Sequence, residues 1–197
     1  KDLTRELTER FYRYIAVPSQ SSSNGGTLVP STPEQWDMAK LLQKECEEIG
    51  LVDLYLSDKC VLTGRLPAHL PAGEKVVPSV GFCAHLDTVD VNLSPVVHAH
   101  TVENYDGGDI ILNKEKCIVM TKEEHPELKS YVGQDIVVTD GTSVLGADNK
   151  AAVANIMTAL HTIAEDHNFY HGDIYIAFVP DEECGLYGSK NMDFSRF

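Results

Sequence analysis

Basic residues are scarce in this chain. Lys and Arg number 16 against 30 Asp and Glu in 197 residues, for a formal net charge of −14. A surface of that sign repels the phosphates of nucleic acid and the headgroups of anionic membranes, so neither is an expected partner. Long apolar runs are missing as well, and none approaches the ~20 residues of a membrane-crossing helix. The stretch from Lys1 to Val17 reads as an amphipathic helix and not as a signal peptide. No cysteines stand in Cys-x-x-Cys spacing. The five present, Cys46, Cys60, Cys83, Cys117 and Cys184, are scattered and odd in number. That argues against a disulfide framework and for reduced thiols in the cytoplasm. Cys83 lies in an apolar run and is expected in the core. There is no glycine-rich phosphate loop of the right form, and no Ser or Cys nucleophile with a convincing base. Internal repeats and long linkers are absent too.

What is present suits a globular chain. Hydrophobic residues make up 43% and charged ones 23%, enough for one domain with a sizeable core. Leu3, Leu7, Phe11, Tyr14 and Ile15 form one face of a first helix, which Pro18 and the polar run Ser19 to Gly26 end. Thr32-Pro33-Glu34-Gln35 predicts a second helix opened by a capping box. Its stripe is Met38, Leu42, Cys46 and Ile49, and Gly50 closes it. Strands are expected at Val52–Leu56, Val61–Leu66, Val77–His85, Asp135–Thr139 and Asp173–Val179, with a helix from Asn149 to Glu165. Asp106-Gly107-Gly108-Asp109 reads as a tight turn. His98-Ala99-His100 has chelating spacing but falls in a loop-like segment. His69, His125, His161, His167 and His171 read as solvated. Alternating helices and strands predict an α/β three-layer sandwich with a mixed, mostly parallel sheet.

Two of the strands end in chemistry. Val80-Gly81-Phe82-Cys83-Ala84 leads into His85-Leu86-Asp87, and Ile174 to Pro180 leads into Asp181-Glu182-Glu183. Strand ends are where α/β proteins place binding groups. His85 and Asp87 are two apart, so on extended chain they point to one side. Asp148 precedes the helical run Ala151 to Ala164. Each feature has an ordinary reading. His-x-Asp is common, a lone Asp before a helix is more often an N-cap, and a Glu pair is more often solvated surface. Together, and in this order, they point to a metal site, in which one Glu binds metal and the other works as a general base. Asp87, Asp148, Glu182 and Glu183 carry four negative charges that two divalent cations would balance.

These residues resemble a known family. His85-Leu86-Asp87-Thr88, Gly146-Ala147-Asp148-Asn149-Lys150-Ala151 and Pro180-Asp181-Glu182-Glu183 are similar to the motifs of the di-zinc exopeptidases. Val29-Pro30-Ser31-Thr32, Glu103 to Ile110 and Thr139 to Asp148 resemble its peptidase T (tripeptide aminopeptidase) branch. The resemblance implies that His85 and Glu183 are terminal ligands of two Zn2+ ions and that Asp148 bridges them. Asp87 would orient His85, and Glu182 would be the general base. It also implies a cis peptide at Asp148-Asn149, tripeptide substrates and a homodimer at full length. Residues 1–197 would be the N-terminal portion of the catalytic domain. The lid and dimerisation domain would be absent, with the returning C-terminal part and its further Asp and His ligands. The 197 residues alone are therefore expected to be inactive. The alternatives are another exopeptidase or amide hydrolase of the group (a dipeptidase or a deacetylase), or a non-catalytic chain that binds metal or a partner.

Overall fold

A computed structural model describes residues 2–25, 28–74 and 77–196. Lys1 of the first helix and Gly26 of the polar run lie outside the described residues. In chain order the elements are α1 (Leu3–Ile15), α2 (Glu34–Ile49), β1 (Val52–Leu56), β2 (Leu62–Leu66), β3 (Val80–His85), β4 (Ala99–Val102), β5 (Ile110–Asn113), β6 (Ile118–Met120), β7 (Ile136–Thr139), α3 (Ala147–Glu165), β8 (Ile174–Val179) and α4 (Tyr187–Lys190). They group into two compact units. One joins Lys1–Asp90 to Gly146–Phe197, and the other is Val91–Leu145.

The larger unit holds a four-stranded sheet in the order β1-β2-β8-β3. The α/β architecture and the mixed sheet are as expected. The proportion differs: β1–β2 and β2–β8 pair antiparallel, and only β3–β8 pair parallel. The cause is local. β1 and β2 are joined by the short turn Ser57 to Val61, closed by Ser57 N–H donating to Val61 O at 2.9 Å. A turn that short admits only antiparallel neighbours, whereas β3 and β8 are linked by a long crossover.

Register follows from burial. On β8, Ile174, Ile176 and Phe178 alternate on one face and join Leu62, Leu66 and Ala84 in the core. A one-residue slip would turn this set away from the helices. The stripes of α1, α2 and α3 close over that face through Tyr14, Met38, Leu42, Cys46, Val153, Met157 and Leu160. Each fully buried aliphatic side chain stabilises by roughly 1.5–3 kcal/mol. A buried ionic knot ties α1 to α2, where the Glu45 carboxylate accepts from Arg10, Arg13 and Tyr14. β3 is an edge strand of this sheet, with Val80 50% and Phe82 44% exposed. Cys83, expected in the core, is exposed on that same strand because no further strand covers it among the described residues. All five cysteines are free thiols.

The expected capping box on α2 does not form. Pro33 occupies the N-cap without a side-chain bond. The Thr32 hydroxyl instead donates to Gln20 O at 2.7 Å, and Gln35 is turned toward Asp181. The other end is as expected: Gly50 adopts φ 96°, open to glycine without Cβ strain, and its N–H reaches Cys46 O and Glu47 O.

The smaller unit contains two two-stranded ladders, β4–β7 and β5–β6, both antiparallel. Tyr105, Ile110 and Leu128 form its core. The Asp106 to Asp109 segment bends as expected, with Gly108 N–H donating to Asp106 Oδ1 at 2.8 Å. His100, expected in a loop, lies in β4 opposite Val138. Alternation over four residues is too short a pattern to distinguish from loop in the sequence.

Candidate metal centre

β3 and β8 run parallel with His85 opposite Val179, so the chain leaves both strands at the same end of the sheet. Leu86 N–H donating to Val179 O at 2.8 Å carries the pairing one residue further. His85 closes β3, and Asp181, Glu182 and Glu183 follow β8 by way of Pro180. The entrance of α3 supplies the third piece. Gly146 has φ 75°, and a Cβ there would lie 2.9 Å from Thr88 Cγ2. Only a residue without a side chain lets the helix entrance approach the loop after β3 this closely. Asp148 and Asn149 keep non-helical backbone angles, and the peptide between them is cis, as the resemblance implies. Asp148 is not a helix cap. The N-cap position is Gly146, and the Asp148 side chain, 83% exposed, sets Oδ1 3.0 Å from His85 Nε2.

His85 is buried and oriented by Asp87. Its Nδ1 lies 2.9 Å from the Asp87 carbonyl oxygen and 3.3 Å from Asp87 Oδ1. Nδ1–H therefore donates to Asp87, and Nε2 is the nitrogen turned toward Asp148. Burial works to lower the His85 pKa, but the hydrogen bonds and charge of Asp87, and then Asp148, outweigh it and raise it to about 9. Asp87 is fully buried. Burial pushes its carboxyl up, yet His85 and the backbone amides of Glu182 and Glu183 hold it below the usual range. Those amides donate to Asp87 Oδ1 at 3.0 Å and Oδ2 at 3.1 Å. Glu183 is raised, first by burial, with His85 opposing and the charges of Asp148 and Glu182 adding.

His85, Asp148 and Glu183 each offer one ligand atom, and the three atoms lie within 4.8 Å of one another. Glu182 stands beside them with Oε2 3.9 Å from His85 Nε2 and its side chain 39% exposed. The five residues picked out in the sequence thus meet at one end of one sheet. One imidazole nitrogen and carboxylate oxygens form the mixed donor set that suits zinc. Neither Cys184 nor the His98 and His100 pair belongs to the metal-capable group among the described residues. His161 is half-buried, with Nδ1 2.6 Å from Glu6 Oε1, where solvent was expected.

Sequence reasoning missed two buried charges next to this centre. Lys150 is fully buried, with Nζ donating to Val17 O, and burial pushes its ammonium down to about 7 against the attraction of Asp87. Its signal was available, because Lys150 shares the helical stripe of Val153, Ala154, Met157 and Leu160. Asp181 is also fully buried and accepts from Ser31 and Gln35. No spacing rule links residues 150 apart.

No protein-family model matches the chain. Among curated proteins, a peptidase T-like protein of Yersinia pestis is 47% identical over 195 residues, covering 99% of this chain and 46% of its own length. Peptidase T of Fusobacterium nucleatum is 44% identical over 194 residues, 97% of this chain and 45% of its own. A crystal structure of the aminopeptidase PepT from Bacillus cereus has the same fold, with a TM-score of 0.65 at 22% identity over 98% of this chain and 40% of that one. The present chain spans about half the length of the curated relatives it matches. With His85, Asp87, Asp148, Glu182 and Glu183 gathered at the strand ends, the chain is similar along nearly all its residues to peptidase T proteins, over about half of their length.

Proposed function

We propose that the whole protein is a zinc-dependent aminopeptidase that releases the N-terminal residue of tripeptides. The observation that carries this reading is the convergence of His85, Asp148 and Glu183 within 4.8 Å in a chain 44–47% identical to peptidase T proteins. His85 Nε2 and the carboxylates of Asp148 and Glu183 would hold the cation. Zinc bound there supplies Lewis acidity toward a peptide carbonyl and toward water. The protein's own groups do the rest. Asp87 holds the Nδ1 proton of His85 and so keeps Nε2 as the ligating nitrogen. Glu182, partly exposed beside the ligands, takes the proton of the attacking water and returns it to the leaving amine. No covalent acyl intermediate is needed. Free thiols and an acidic surface support a cytoplasmic protein that acts on small peptides, and not on nucleic acid.

Three side chains are few for two cations. Zinc is held firmly by three or four protein ligands. With Asp148 shared, each of two cations would have only two of these side chains, so the 197 residues by themselves are expected to show weak or single-metal occupancy and no measurable peptidase activity. In the whole protein, tripeptide hydrolysis is expected to stop with a chelator. Glu182→Gln is expected to lower kcat by at least about 10²-fold while zinc content stays at the wild-type level. Undiminished turnover in Glu182→Gln would remove Glu182 from the role of base.

A further inference from the structure

Asp181 sits between the end of β8 and the two site glutamates, and its carboxylate does not face the metal-capable group. It is fully buried and accepts three hydrogen bonds from the segment that opens α2. Ser31 N–H donates to Oδ2 at 2.7 Å, Ser31 Oγ donates to Oδ1 at 2.6 Å, and Gln35 Nε2 donates to Oδ1 at 2.7 Å. Gln35, also fully buried, closes the ring by accepting from Asp181 N–H at 3.0 Å through Oε1. Ser31 is itself anchored, because its Oγ accepts from Ser22 N–H at 2.8 Å. Asp181 has φ 55°, in the left-handed region, a conformation that an L-residue keeps only where its surroundings enforce it.

The rest of the segment is held from other sides. Asp87 takes the amides of Glu182 and Glu183. The turn before α4 donates Gly185 N–H and Leu186 N–H to Glu182 O, and Tyr187 N–H donates to Asp181 O. The Glu182-Glu183 backbone is therefore held twice, by Asp87 through its own amides and by Ser31 and Gln35 through Asp181. Two carboxylates on consecutive residues reach one small volume only if the backbone between them is fixed. A few tenths of an ångström at Asp181 become a larger error at the Glu182 and Glu183 oxygens.

We propose that Ser31 and Gln35, acting through the Asp181 carboxylate, are positioning residues that set where Glu182 and Glu183 present their oxygens. The inference rests on the reading above for what those oxygens do. It gives the Val29-Pro30-Ser31-Thr32 motif and the polar face of α2 a role at the metal centre, which they do not touch.

The test uses the whole protein with Ser31→Ala, Gln35→Met and the restoring variant Ser31→Thr, which keeps the hydroxyl. Ser31→Ala deletes one oxygen and leaves the core intact, and β8 amide protection checks the fold of every variant. Cobalt(II) is titrated as the metal probe and followed by its visible absorption. Amide exchange is followed by NMR at Asp181, Glu182 and Glu183. Ser31→Ala and Gln35→Met are expected to weaken cobalt binding about tenfold and change its spectrum, as loss of an outer hydrogen bond does. Exchange at the three amides should accelerate, and Ser31→Thr should restore both readouts. Faster exchange with unchanged cobalt affinity and spectrum would overturn the proposal, leaving only a structural tie. Unchanged exchange would overturn it as well. Wild-type protein that took up no cobalt would overturn the zinc reading and this proposal with it, whereas normal cobalt uptake left unchanged by Ser31→Ala and Gln35→Met would overturn the proposal alone.

Discussion

Asp87 joins the two strand ends of the candidate metal centre through one buried carboxylate. It carries the Nδ1 side of His85 and both amides of the Glu182-Glu183 segment. Asp87→Ala would leave the amides of Glu182 and Glu183 without their acceptor and take the carboxylate from His85 Nδ1, which keeps only the backbone carbonyl of residue 87. Removing one partner of a buried pair costs about 3–5 kcal/mol. That loss is expected in urea denaturation of the metal-free chain, where a change below 1 kcal/mol would contradict the network. At this scale the sequence was informative. A His and an Asp two residues apart after an apolar run, and a Glu pair after another, identify candidate ligands because strand ends are predictable. The hydrogen bonds of Asp87 to Glu182 and Glu183, across 95 and 96 residues, are not legible in any local pattern.

Helices and strands owe their positions to stripes that close on a common core. Leu42 of α2 is fully buried among residues of the sheet and of α3. Leu42→Ala is expected to cost about 2–5 kcal/mol, from lost burial and the cavity left behind. A thermal or chemical melt of the two proteins checks this, and equal stabilities would mean that α2 does not rest on this core. Expected bounds for α1, α2 and the strands from Val52, Asp135 and Asp173 lie within one or two residues of those observed. Strong periodicity and a glycine stop account for that agreement. The capping box failed because tertiary demands took both its side chains, Thr32 for Gln20 and Gln35 for Asp181. β4, β5 and β6 carry little period-two signal in four residues or fewer, whereas β7, equally short, is bounded by the turn pair Asp140-Gly141.

Across the whole molecule, acidic residues dominate, and some hold the sheet together at its ends. Asp173 enters β8 and accepts from Ala68 N–H at 2.9 Å and from Arg65 at 2.8 Å. These donors, the Ala68 amide first, lower its pKa from the ordinary 3.8. The unfolded chain thus binds this proton more readily than the folded one. The contribution of Asp173 is present above the ordinary carboxylate range and is lost as pH falls through and below it. Stability curves over acidic pH should therefore be less steep at their acid end in Asp173→Asn than in the wild type. Parallel curves in the two proteins would show that Asp173 titrates alike folded and unfolded.

Residue types, their order and the apolar runs before them were enough to name the candidate site residues, the α/β class and the family resemblance. Those properties are carried by local chemistry: an imidazole or a carboxylate keeps its donor atoms wherever the chain goes, and a period of two or 3.6 is written in neighbouring positions. Long-range pairing answered the remaining questions. The parallel register of β3 with β8 brings His85 beside the Glu182-Glu183 segment, while the antiparallel turn from β1 to β2 sets the sheet's balance of directions. Folding buries Lys150 and Asp181 against partners more than a hundred residues away. These are contacts between segments distant along the chain, and a contact of that kind exists only once the core has closed and expelled the water that would otherwise solvate both partners.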